Sequence, residues 1–158
     1  MTTRKSPNPL LILGLLMVGA ILFIRFVVIG GTAPTPGMFD EGLTLTEAVD
    51  RANTQDMAVF AVATGASCPP CQVYKRTTLV DPAVETLVQG MVPVHIDIGV
   101  APQDARALGV TSIPTTFVIR NGVVVDQAVG RLSATDLALM IKPHLASAAD
   151  ASAAADVD

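Results

Sequence analysis

The sharpest hydropathy contrast in the chain comes at its start. Residues 10–29 read LLILGLLMVGAILFIRFVVI, a run of 20 residues with one charge, Arg25. That is about the length a helix needs to cross the apolar core of a bilayer. Residues 30–42, GGTAPTPGMFDEG, are rich in Gly and Pro and read as a linker. Beyond them the pattern becomes that of a folded domain. Thr44 and Glu47 fit a capping box, which predicts a helix over about 44–53. Met57 to Thr64 is a continuous apolar run, as expected of a strand buried on both faces. Gln72 to Leu79 can continue a helix begun just before it. Asp81 then reads as an N-cap and Pro82 as a first helical residue, for a segment ending near Gly90. Met91 to Ile98 is a second strand, and Ala101 to Leu108 a short helix stopped by Gly109. Thr115 to Arg120 and Val123 to Val129 flank Asn121-Gly122, a strong hairpin signal. Ser133, with Asp136 three residues on, caps a last helix that Pro143 should bend or end. Residues 146–158 are mostly Ala, Ser and Asp and are expected to be a disordered tail.

This order of elements predicts an α/β fold with a mixed sheet between helices. Two βα crossovers come first and an antiparallel hairpin last. The net charge of -4 and the lack of a basic cluster beyond the first residues argue against nucleic acid as a partner. Arg4 and Lys5 precede the apolar run and no Lys or Arg follows it until Arg51. The positive-inside rule therefore places residues 1–9 in the cytoplasm, 10–29 across the membrane in contact with lipid, and the remainder outside. Arg25 lies near the far end, where its charge can reach the interface. A cleaved signal peptide is the competing reading. Pro34 would follow the cut after Ala33, however, and the apolar core is long for a signal, so an uncleaved anchor is favoured. Either reading exports the domain.

The chain has two cysteines, Cys68 and Cys71, separated by Pro69 and Pro70. They follow the first strand directly. One helical turn at that spacing brings two sulfurs close enough to bond or to share a metal. A static disulfide across so short a loop would remove little chain entropy. Zinc usually takes four ligands, and neither His95 nor His144 stands at ligand spacing to the pair, so no metal is assigned.

Three signals in order resemble the thioredoxin superfamily over about residues 43–145. CxxC follows the first long strand; Gly109 to Thr115 (GVTSIPT) is similar to the loop that carries the family's cis-proline; and Asn121-Gly122 followed by Val129 to Ser133 is similar to its final hairpin and the approach to its last helix. The stretch from Cys71 to Pro82 most resembles the C-terminal domain of bacterial transmembrane thiol–disulfide interchange proteins. The resemblance implies a thioredoxin-like fold, one N-terminal transmembrane helix aside. It also implies a redox-active Cys68–Cys71 disulfide that exchanges with protein disulfides or dithiols, no cofactor, and a membrane-bound or thioredoxin-like electron donor.

Within that resemblance Cys68 is the attacking thiolate, favoured by the helix N-terminus, and Cys71 the shielded resolving thiol. Ser67, Pro69 and Pro70 complete the active-site loop. Pro114 is the expected cis-proline, with Ile113 before it holding substrate backbone beside the disulfide. Pro69 and Pro70 lack N–H groups, which leaves Cys71 N–H as the nearest donor to the Cys68 sulfur and favours a reductase. Three residues depart from the family pattern. Ser67 replaces the usual Trp, Val62 stands where thioredoxins bury an Asp, and Lys75 stands where the interchange proteins carry a Glu. Tyr74, Lys75 and Arg76 read as the solvated face of the active-site helix, and His95 as a structural histidine. The alternative functions are a non-catalytic interaction module and a metal carrier. Copper chaperones on this fold use a wider cysteine spacing and a histidine ligand.

Overall fold

A computed structural model describes residues 8–24, 31–39 and 41–145. The chain divides into two units, Met1–Thr32 and Ala33–Asp158. In the first, helix α1 covers Pro9–Phe23 and none of its residues is buried. Among the described residues no helix is long and apolar enough to cross a membrane. The remainder of the predicted span, 25–29, lies outside the described residues, as do residues 1–7, residues 30 and 40 of the predicted linker, and the predicted tail, 146–158.

The second unit is a four-stranded mixed sheet with helices on both faces. Its elements are α2 (Leu45–Thr54), β1 (Ala58–Thr64), α3 (Pro69–Arg76), α4 (Pro82–Val88), β2 (Met91–Asp97), α5 (Pro102–Ala107), β3 (Thr115–Arg120), β4 (Val123–Val129) and α6 (Ala134–Leu145). The strand order is β2-β1-β3-β4. Only β1 and β2 are parallel, joined by the α3–α4 crossover; β3 runs antiparallel to β1 and to β4. Of the two expected crossovers, the second therefore returns the chain to the opposite side of β1 in the opposite sense.

Local chemistry accounts for most element ends. Thr44 accepts from Glu47 N–H, and the Glu47 carboxylate accepts from Thr44 N–H, closing the capping box that starts α2. Asp81 Oδ1 accepts from Ala83 N–H at 2.9 Å ahead of Pro82. Asn121 and Gly122 both have positive φ, 54° and 75°, as the tight β3–β4 turn requires. Pro143 does not end α6, which runs two residues further. The acceptor it forgoes is the carbonyl of Leu139, an exposed residue, so water can take the place of the missing N–H.

Strand β1 is buried along its whole length because it lies between two layers. Ala58, Phe60 and Val62 face Tyr74, Val84, Leu137 and Ile141, whereas Val59, Ala61 and Ala63 face α2 and α5. The segment ahead of α2 also belongs to this unit. Ala33 and Phe39 are buried, and Phe39 stacks on Phe60 with centroids 6.1 Å apart. Such a pair contributes about 0.5–1.5 kcal/mol beyond its area. The folded unit thus begins at Ala33, ahead of the boundary expected at Leu43.

Candidate active site

Cys68 is the N-cap of α3, and Cys71 lies in its first turn, joined to Cys68 by a disulfide with Cα atoms 5.2 Å apart. Pro69 and Pro70 occupy the first two helical positions, where an N–H has no intrahelical partner to lose. The Cys68 Sγ accepts from Cys71 N–H at 3.2 Å, the donor expected once both prolines are discounted. Cys71 is fully buried and Cys68 nearly so, while Pro69 and Pro70 are exposed at the rim. Ser67, in the position expected for Trp, is also exposed.

The loop before β3 closes over this pair. The Ile113–Pro114 peptide is cis, and the Cys68 sulfur lies 3.8 Å from the Ile113 carbonyl oxygen. Two bonds seat the loop: Gly130 N–H donates to the Pro114 carbonyl at 2.7 Å, and Thr115 Oγ1 to the Ser112 carbonyl at 2.7 Å. Among the described residues the Ile113 N–H has no hydrogen-bond partner. Gly65 gives this approach room, since a Cβ there would meet the terminal methyl of the Ile113 side chain at 3.0 Å. Gln72 fastens the other side of the active-site loop. Its amide donates to the carbonyls of Gly65 and Ala66, and its oxygen accepts from Ala33 N–H.

Beneath the dithiol the expected positions separate. Val62 is fully buried and apolar, between His95 on β2 and Thr116 on β3 in the strand register. Tyr74 and Lys75 are not on a solvated face. Tyr74 is 0% exposed and Lys75 4%; of the three residues expected there, Arg76 alone is exposed. Helical spacing explains the correction. Cys71, Tyr74, Lys75 and Thr78 are all buried, the i, i+3, i+4, i+7 stripe of a helix seated on a sheet. Counting that stripe from Cys71 would have revealed it. Tyr74 Oη and Thr116 Oγ1 lie 3.1 Å apart, and burial pushes the Tyr74 phenol up to about 12, with the Thr116 bond pulling the other way. Burial lowers the Lys75 ammonium, and the charge of Asp97 raises it.

His95 is structural, as expected. Its Nε2 is 2.7 Å from Thr64 Oγ1, and its ring packs on Phe39. The other histidine, His144, pairs with Asp126 at 3.4 Å. Burial, and then the Lys75 charge, hold His95 down at about 4 against a small opposing effect of Asp97, so it is neutral at neutral pH. In the unfolded chain it titrates near its ordinary value of 6.5. Between those two values the unfolded state binds more protons, so this group's contribution to stability is present above about pH 6.5 and is lost as pH falls towards 4. The urea midpoint is expected to fall over that window, and to fall less steeply in His95→Leu. Parallel declines in the two proteins would contradict it.

A family profile described as thioredoxin-like matches residues 41–120. Among solved structures, a thioredoxin variant from Halobacterium salinarum NRC-1 is 28% identical, with a TM-score of 0.51 over 66% of this chain and 88% of that one. A thioredoxin from Thermus thermophilus superposes with a TM-score of 0.55 at 21% identity, over the same shares, and speaks for the fold. No match was found among curated proteins. With the profile spanning half of its length, and with the cysteine pair and the proline loop meeting at one end of a mixed sheet, the chain belongs to the thioredoxin-like family.

Proposed function

We propose that this protein is a thiol–disulfide oxidoreductase that works on protein disulfides, in the reducing direction, from the outer face of a membrane to which it is anchored. The observation that carries the reading is the meeting of Cys68 with the Ile113–Pro114 loop. An N-cap sulfur with one backbone donor lies against a carbonyl whose own residue offers an unpartnered N–H. An extended substrate backbone can pair with Ile113 there and present its disulfide to Cys68. Beside that point a groove of about 260 Å³, lined by Ile98, Ala105, Val110 and Ile113 among others, offers an apolar seat for a neighbouring substrate side chain. The reductase direction follows from Pro69 and Pro70. Neither can donate to the Cys68 sulfur, so its thiolate has less support than a helix N-terminus normally gives. The couple then favours giving electrons to substrate and receiving them from a membrane-bound or thioredoxin-like donor.

The full chain in detergent, with dithiothreitol as donor, should reduce insulin disulfides, and Cys68→Ser should bring the rate to background. Equal rates in the two proteins, or no turnover together with a bound metal, would overturn the assignment.

Anchoring rests on the apolar run at residues 10–29 and on α1, whose side chains Leu10, Leu11, Leu15, Leu16 and Phe23 are exposed without a polar face. A helix apolar on all sides needs an apolar surrounding. Alkaline carbonate washing of membranes should leave the full chain in the pellet. Its release into the wash would rule out a spanning anchor.

A further inference from the structure

Lys75 is the only charged side chain that is buried among the described residues. It lies one helical turn beyond Cys71, on the same buried stripe of α3. Side chains on a helix lean towards its N-terminus and cover the preceding turn, so the Lys75 stem lies over the turn that carries Cys71. Its surroundings draw the ammonium the same way. His95 and Asp97 alternate with Val94 and Ile96 along β2 and so face α3 rather than α5. Asp97 pairs in register with Thr64, the last residue of β1, at the end of the sheet where the cysteine loop begins. The Asp97 charge acts on Lys75, yet among the described residues Lys75 forms no direct ion pair. His95 and Tyr74, which also lie on this side, are both uncharged at neutral pH. Asp97 itself is occupied at the strand end, where its Oδ1 accepts from Gly99 N–H at 2.9 Å.

Resolution of a mixed disulfide needs an anion at Cys71, a fully buried sulfur. Burial opposes that anion, and a nearby positive charge favours it. The residues through which relatives are expected to handle this step are replaced here by Val62 and Lys75. We propose that Lys75, steered by Asp97, is the positioning residue that supplies the positive field for the Cys71 thiolate during resolution. This rests on the oxidoreductase reading above. In the step itself Cys71 gives its proton to solvent, and its thiolate attacks Cys68 Sγ. The Cys68–Cys71 bond forms as the bond from Cys68 to the substrate sulfur breaks. The substrate sulfur leaves with the electron pair and takes a proton from water. Across the cycle the protein dithiol loses two electrons and the substrate disulfide becomes two thiols.

The test uses the reduced full chain in detergent and dithionitrobenzoate, an aromatic disulfide that releases one coloured thiolate on attack by Cys68 and a second on resolution by Cys71. Lys75→Met keeps the packing of the stem and removes a charge that makes no direct ion pair among the described residues, so the fold is not endangered. It is expected to slow the second phase about tenfold at neutral pH and to move its pH midpoint upward by about one unit, with the first phase changed less than about threefold. Lys75→Arg, which keeps the charge, should restore the midpoint. An unmoved midpoint in Lys75→Met, no restoration in Lys75→Arg, or equal slowing of both phases overturns the assignment of Lys75. If the unsubstituted protein releases no coloured thiolate at all, it is the oxidoreductase reading that fails.

Discussion

Helix α3 is seated on the sheet by one stripe of side chains, and the geometry of the cysteine end follows from that contact. Cys71, Tyr74, Lys75 and Thr78 fill the space between α3, the short 3-10 turn after it, and the strands below. Tyr74 reaches across to Thr116 on β3, and Thr78 donates to the Leu132 carbonyl at 2.7 Å, ahead of α6. Each such bond contributes about 1 kcal/mol net, but an unpaired hydroxyl at these depths would cost more than that. The stripe therefore sets both the height and the rotation of the helix. Rotation decides which cysteine is buried. With Tyr74 turned inward, Cys71 must be inward too, and Cys68 at the N-cap is left at the edge, against the Ile113–Pro114 loop. Gly65 leaves room for that loop at the strand end, where a Cβ would come within 3.0 Å of the Ile113 terminal methyl and the Ile113 side chain would have to shift.

Polar groups under the dithiol are arranged around an apolar centre. Val62 leaves no titratable atom at the middle of β1, and polar pairs stand around it, His95 on β2 with Thr64 at the end of β1, and Thr116 on β3 with Tyr74 on α3. Each of these pairs satisfies itself, and among the described residues no buried side-chain nitrogen or oxygen lacks a partner. His95 and Tyr74 are held in their uncharged forms by burial. The outcome is a layer that rigidifies the base of the site and carries charge at its edge, on Lys75 and Asp97. An uncharged, hydrogen-bonded floor raises the influence of whatever charge remains, because little else screens it.

Much of this was legible in the sequence where local rules are strict. The capping box at Thr44, the Asp81-Pro82 start of α4 and the Asn121-Gly122 turn each follow from the chemistry of a few neighbouring residues. The Ile113–Pro114 loop was recognisable through family resemblance, since a lone X-Pro pair carries no such information. The rest turns on which face of an element meets the sheet and on contacts between distant segments. Lys75 and Arg76 are alike in charge and adjacent, and only the direction of the helix face separates a buried cation from an exposed one. The role of residues 33–39 was hidden in a similar way. Their Gly and Pro content reads as linker, yet Phe39 finds a stacking partner in Phe60, and the Ala33 N–H finds an acceptor in Gln72. Pro143 shows the converse, a strong local breaker tolerated because the carbonyl it leaves unpaired belongs to an exposed residue.

The chemistry assigned to the fold comes down to whether the Cys68–Cys71 couple cycles or stays closed. Both fates are compatible with a cysteine pair at a helix N-terminus, and they differ in energy rather than in shape. The decisive measurement is the reduction potential of the couple, obtained by equilibrating the full chain against glutathione buffers and quantifying the two forms. A reversible value of about -270 to -200 mV, the range of thioredoxins and glutaredoxins, is expected for a couple whose thiolate has one backbone donor. A value below about -300 mV, as for structural disulfides, or no reversible equilibrium at all, would contradict it.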